Sequence, residues 1–182
     1  MNNENRKIIF LFPLLIYLIS ALVGCTSSQE RRILVVHSYE ETYTAYPEFN
    51  RLIAKQFKKE GVNADIRTLY LDCESYKEET ELKRMRYLLD SVSGDWRPEV
   101  ILVNEDQATY SLLKCGDPLV KEVPVVFAGV NYPNWELLKQ YPNATGFHDK
   151  IGFVQNAEMA RKLFGDSVRL FTLLDSTFLD VQ

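Results

Sequence analysis

Ile33-Leu34-Val35-Val36 is a continuous apolar run rich in β-branched residues, and Val100-Ile101-Leu102-Val103 is a second run of the same kind. Such runs are typical of strands that are buried on both faces, as in parallel sheets. Between and after them, segments of helical periodicity alternate with further strand-like segments. This alternation predicts an α/β fold, an open parallel sheet with helices on both faces and right-handed crossovers.

The pattern predicts four strands and four helices in the first part of the chain. The strands are expected at residues 33–36, 64–71, 100–103 and 123–128, and the helices at 47–60, 77–92, 108–114 and 135–140. A loop around Gly146, a helix over 156–163 and a strand over 168–174 are expected to follow. We therefore expect a first α/β lobe over residues 32–145 and the beginning of a second lobe over residues 146–182.

The N-terminus has the pattern of a secretion signal. Arg6 and Lys7 precede an almost wholly apolar stretch, residues 8–23, which is short for a membrane span. Leu22-Val23-Gly24-Cys25 looks like the lipobox of bacterial lipoproteins, in which the cysteine is acylated and becomes the new N-terminus. The interpretation is a signal peptide over 1–24, lipidation at Cys25 and a polar tether over 25–31; an uncleaved anchor or a plain cleaved signal are the alternatives. It predicts a cell-envelope protein, extracytoplasmic and lipid-anchored to a bacterial membrane.

Composition and motifs exclude several function classes. The net charge of −4 becomes −5 when Arg6, Lys7 and Glu4 are removed with the signal, which argues against a nucleic-acid partner. Nucleotide-binding glycine loops, a nucleophile elbow and metal-ligand spacings are all missing, so we expect no cofactor and no metal. His37 and Ser38 are adjacent and point apart on an extended segment, so a Ser38-dependent hydrolase is only an outside alternative.

Polar side chains follow each predicted strand, at the edge where ligands of open parallel sheets bind. Hydroxyls, amides and helix N-termini there suit a small polar or anionic molecule. Structural roles are the alternatives: a helix cap at Asp106, loop contacts at Ser38 and Asn131, a glycine turn at Gly129 and lid packing by the tyrosines. The groups at the strand ends are His37-Ser38-Tyr39, Tyr70-Leu71-Asp72, Asn104-Glu105-Asp106 and Gly129-Val130-Asn131.

These strand ends resemble a known family. Ile33 to Tyr39, Pro98 to Ala108 and, most specifically, Pro124-Val125-Val126-Phe127-Ala128-Gly129-Val130-Asn131 look like the first lobe of ABC-transporter substrate-binding proteins of the type I periplasmic-binding class. The same lobe occurs as the extracytoplasmic sensor of bacterial histidine kinases, which is the alternative function.

The resemblance implies two lobes that close on a small organic solute without catalysis. It assigns ligand binding to Ser38, Tyr39, Asp106 and Asn131, and extends to Tyr43, Asp72, Gly129 and Asp175. Its implied partners are a solute, a membrane through the lipid anchor, and a transporter permease or a histidine kinase. Two-lobed proteins of this kind have about 300 residues, so the chain is expected to be truncated or incomplete in its second lobe.

Overall fold

The computed structural model describes residues 29–150, 152–167, 169 and 171. In these ranges each strand is followed by one helix or, after the third strand, by two helices, and a 3₁₀ turn at Cys73–Ser75 follows the second strand. The elements in chain order are β1 (Arg31–His37), α1 (Tyr46–Lys59), β2 (Ala64–Tyr70), α2 (Glu78–Ser93), β3 (Val100–Asn104), α3 (Asp106–Lys114), α4 (Leu119–Glu122), β4 (Val125–Val130), α5 (Trp135–Leu138), β5 (Ala144–His148) and α6 (Phe153–Phe164).

The strands form one parallel sheet in the order β2-β1-β3-β4-β5. β1 lies at the centre of the first three strands, with Val35 opposite Thr68 of β2 on one side and Leu102 of β3 on the other. β3 then pairs with β4, and β4 with β5. The predicted fold, an open parallel α/β sheet, is confirmed.

Helices cover both faces of this sheet. Successive strand residues point to opposite faces. On β1, Leu34 and Val36 join the large apolar core that contains Met85 and Leu89 of α2. His37, one residue on, points the other way and packs against Phe49 of α1. Both faces of β1 are therefore buried, which explains its uninterrupted apolar sequence.

The loop expected around Gly146 is wrong, because residues 144–148 form the edge strand β5. Val125 pairs with Ala144, and Phe127 pairs with Gly146. A Cβ atom on Gly146 would lie 2.0 Å from the Phe127 carbonyl oxygen and 2.6 Å from its ring. Glycine is thus required by the close approach of β5 to β4, and the expected lobe boundary between residues 145 and 146 falls inside a strand.

Several other expectations concern the two ends of the chain. The predicted helix over 156–163 is confirmed within α6. The predicted strand over 168–174 is described only at residues 169 and 171. The signal segment 1–24, Cys25 and Asp175 lie outside the described residues. Within the described part of the chain, none of the helices is long and apolar enough to span a bilayer.

Candidate functional site at the carboxyl ends of the strands

The strand order reverses between β1 and β3. From β1 the chain continues to β2 on one side, and from β3 it continues to β4 on the other side. At such a switch point the two connections diverge and leave a crevice beyond the carboxyl ends of the strands, where open α/β sheets bind ligands. The loops that begin at Ser38 and at Glu105 meet at this point.

Ser38 holds the base of the crevice together. Its side chain is fully buried, and its hydroxyl donates to the Asn104 carbonyl at 3.0 Å. The same oxygen accepts from the Ala108 backbone N–H at 2.9 Å. Ser38 therefore ties β1 to the end of β3 and caps the first turn of α3 from a distant part of the sequence. Its predicted role in binding stays a prediction.

Asp106 is equally buried and organises the loop after β4. Its Oδ2 accepts from the Asn131 backbone N–H at 2.9 Å and from the Asn131 Nδ2 at 3.1 Å. Its Oδ1 accepts from the Tyr132 backbone N–H at 3.1 Å. The helix cap considered for Asp106 is wrong, because the N-cap residue of α3 is Glu105 and the carboxylate of Asp106 bonds the neighbouring loop instead. Asn131 is exposed at the rim beside it.

A column of aromatic rings stands beside the switch point. The rings of Tyr39 and Tyr43 stack with their centroids 4.7 Å apart, and Tyr43 lies 4.9 Å from Tyr46. Tyr46, only 1% exposed, stacks in turn on His37 at 3.9 Å. Its hydroxyl accepts from the Tyr39 N–H at 3.0 Å and donates to Glu105 Oε2 at 2.8 Å. The tyrosines are therefore both packing groups and part of the polar network.

Glu105 is the residue that sequence reasoning did not select. Its backbone has φ +74° and ψ 170°, a region that residues other than glycine almost never occupy. Three hydrogen bonds hold it there: its N–H donates to the Ala128 carbonyl at 2.7 Å, and its carbonyl accepts from the N–H and hydroxyl of Thr109. Burial raises the pKa of its carboxyl, an effect that the Tyr46 hydrogen bond opposes. No sequence motif signals such a backbone conformation.

The adjacent side chains of His37 and Ser38 form hydrogen bonds with different neighbours. His37 Nε2 bonds Asn50 Oδ1 at 2.8 Å, and its Nδ1 is buried without a hydrogen-bond partner. Burial lowers the pKa of His37. The Ser38 hydroxyl bonds backbone groups of β3 and α3 rather than this imidazole. The arrangement gives no support to Ser38 as a nucleophile.

The other predicted binding residues that the structure describes lie at the same edge of the sheet. Asp72 follows β2 with a left-handed backbone, and its Oδ1 accepts from the Ser75 hydroxyl at 2.9 Å. Gly129 has φ +68°, and a Cβ atom there would lie 3.4 Å from Asn104 Oδ1. Tyr43 is 37% exposed at the top of the aromatic column.

A cavity of about 320 Å³ opens next to Asn131, beyond the ends of β4 and β5. Sequence reasoning missed it, since half of its lining residues lie in or after the strand that was expected to be a loop. A larger cavity of about 450 Å³ lies between α1 and the start of β2, at the opposite edge of the sheet from the polar rim. The smaller cavity is lined by Asn131, Tyr132, Pro133, Trp135, His148, Asp149, Lys150 and Phe153.

The arrangement provides hydrogen-bonding groups, aromatic faces and one strained carboxylate around a crevice. Among the described residues, no three His, Cys, Asp or Glu side chains are placed to hold a metal ion. The sequence matches no known protein family and no curated protein.

Proposed function

We propose that the chain is a membrane-tethered, extracytoplasmic solute-binding protein of the ABC-transporter substrate-binding kind, and that the described sheet is its first lobe. One observation carries the proposal. Tyr39 is linked to Glu105 through the Tyr46 hydroxyl, and Asn131 is bonded by the neighbouring Asp106, so that three different strand ends meet at the reversal of strand order. This is where an open α/β sheet presents groups to a small molecule.

The local chemistry favours binding over reaction. Ser38 and Asp106 form hydrogen bonds with other groups of the chain, and these bonds fix the positions of the loops. The partly exposed groups above them, Tyr39, Tyr43 and Asn131, can stack on a solute or donate and accept hydrogen bonds. Rigid support beneath adaptable polar groups is the usual construction of a ligand site.

The proposed tether is the lipid on Cys25, and the proposed partners are a solute and either a transporter permease or a histidine kinase. A lipid anchor suits the transporter role better, because a kinase sensor needs a membrane-spanning segment through which to signal. A permease encoded beside this chain would support transport, whereas a kinase core encoded there would support sensing.

The test is a thermal-shift screen of the chain against small neutral and zwitterionic organic solutes. A solute that binds the folded state raises the melting temperature by mass action. Trp135 is 52% exposed in the cavity beside Asn131, whereas Trp96 is buried, so a solute at the rim should change the fluorescence of Trp135 selectively.

Substitution at the rim makes the screen specific. Asn131→Ala should weaken binding of any hit by about 1–3 kcal/mol, or roughly 5- to 150-fold, because a buried hydrogen bond to the solute is lost. Thr145→Ala, an exposed position on β5, is the control and should leave affinity unchanged. Hits that bind both variants like the parent chain, or a chain that no solute stabilises, would contradict the proposed function.

A further inference from the structure

Two neighbouring acids stand at the switch point, and only one is available to a ligand. Asp106 is 1% exposed and accepts three hydrogen bonds from the loop after β4. Glu105 is partly exposed; its carboxylate accepts a hydrogen bond from Tyr46 and also interacts with the Ser38 hydroxyl. A solute that meets a carboxylate in this crevice therefore meets Glu105.

The backbone that carries this carboxylate has φ +74° and ψ 170°. A non-glycine residue in this conformation is strained and persists only where the surroundings enforce it. Here hydrogen bonds to the Ala128 carbonyl and from Thr109 enforce it. Strain of this kind gathers at ligand-binding positions.

The surroundings of Glu105 suit a positive group and repel a negative one. The aromatic column stands beside it: Tyr46 bonds it, Tyr43 packs on Tyr46, and Tyr39 stacks on Tyr43. Tyrosine faces attract cations, and several together recognise organic ammonium groups. The Tyr46 hydroxyl bridges the Tyr39 N–H and Glu105, and the pKa of Tyr39 is raised to about 12, first by burial and then by the negative charge of Glu105.

Two groups that could have attracted an anion are not available to do so. The Ala108 N–H at the start of α3 is bonded to Ser38, so the helix end offers that donor to no ligand. His37 lies beneath Tyr46, and because burial lowers its pKa the ring is uncharged at neutral pH. A cation at Glu105 therefore meets no opposing imidazolium in the column.

We propose that Glu105, with the faces of Tyr39 and Tyr43, binds an ammonium group of the solute. This inference rests on the proposed function and narrows its ligand to small organic cations and zwitterions. Glu105 pairs with the positive nitrogen, and Tyr43, 37% exposed, covers its alkyl substituents.

The test compares charged probes with uncharged isosteres by isothermal titration calorimetry. The pairs are choline with 3,3-dimethylbutan-1-ol, and ethanolamine with ethylene glycol. The charged member should bind at least tenfold more tightly in at least one pair. Glu105→Gln should remove that preference, while Gln can still accept the Tyr46 hydrogen bond and so keep the fold.

Variants at Tyr43 distinguish the contribution of the aromatic ring to binding from that of the hydroxyl. Tyr43→Leu should weaken binding of the charged probe several-fold, whereas Tyr43→Phe should retain it, because the ring face carries the attraction. Tyr87→Leu and Glu79→Gln, at exposed positions on α2, are the matched controls and should change nothing.

Equal affinity for charged and uncharged probes, or unchanged affinity in Glu105→Gln, would overturn the inference. So would a failure of every amine to bind. In each of these cases an uncharged solute from the thermal-shift screen whose affinity depends on Asn131 would leave the proposed function standing.

Discussion

Glu105 and Asp106 differ by one methylene and one position, and the backbone gives them opposite tasks. The positive φ of Glu105 ends the strand and leaves its side chain at the rim, while Asp106 begins α3 with its carboxylate against the loop of Asn131 and Tyr132. One acid supports the site and the other faces the crevice.

Asp106→Ala should destabilise the fold. Two backbone N–H groups at a partly buried site lose their acceptor, so we expect a loss of about 1–3 kcal/mol in the free energy of unfolding. Asp106→Asn keeps one acceptor oxygen and should lose less. Urea denaturation followed by circular dichroism measures both; equal stability of Asp106→Ala and the parent would contradict the structural role.

Glu81 is a second buried acid, between α2 and α3. It is 1% exposed; Ser111 donates to its Oε2 at 3.1 Å, and its Oε1 is buried without a partner. Burial raises the pKa of its carboxyl to about 7. In the unfolded chain the pKa of a glutamate is about 4.3, so the unfolded state ionises first as the pH rises.

The contribution of Glu81 to the free energy of unfolding should therefore decrease as the pH rises from about 4.5 to about 7. Above that range this contribution should stay at its lower value. Glu81→Gln should be more stable than the parent at pH 8, by about 1–3 kcal/mol, and should lack this part of the pH dependence. Glu79→Gln, an exposed position on the same helix, is the control. Denaturant unfolding at pH 5 and pH 8 measures the effect, and a parent and Gln variant with identical pH profiles would rule it out.

At the scale of elements, β5 shows how a single close contact defines a strand. Gly146→Ala should cost about 1–3 kcal/mol, because the new Cβ would overlap the Phe127 carbonyl and the strands would have to separate. Thr145→Ala, exposed on the same strand, should change stability by less than about 0.5 kcal/mol. Thermal unfolding of the two variants compares them directly; similar melting temperatures would argue against the tight pairing.

The strands and the longer helices could be predicted because their apolar periodicity is strong. β5 could not, since Ala144-Thr145-Gly146-Phe147-His148 has neither an apolar run nor clear alternation, and glycine usually marks a loop. The meeting of Ser38, Asp106 and Asn131 at one edge could be predicted from strand direction alone. Which groups are buried and which face the crevice depends on backbone dihedrals at Glu105 and on packing of Tyr46, and neither has a sequence signature.

For the whole molecule, the uneven burial of the helices is the main feature. Eight of the nine residues of α3 are buried, whereas none of α6 is, and Leu163 and Phe164 of α6 are 68% and 76% exposed. This contrast is what a second lobe beginning near α6 would produce, and the second lobe stays a prediction.

The predicted lipidation of Cys25 can be tested in cells that express the whole chain. Cys25→Ser should leave the precursor unprocessed by lipoprotein signal peptidase and should abolish labelling with a radioactive fatty acid. Fractionation and labelling of cells that express the two forms measure this. Ser27→Ala, two residues on, is the control and should be processed normally; undiminished labelling of the Cys25 variant would contradict the lipobox.

The Ser38 hydroxyl also has a consequence for the order of folding. It joins partners 66 and 70 residues away, and Asp106 reaches a further 25 residues to Asn131. Contacts so distant along the chain close large loops, and their entropic cost is met only after the intervening strands have docked. The crevice should therefore be completed late in folding, and recovery of solute binding should lag behind recovery of helical circular dichroism during refolding.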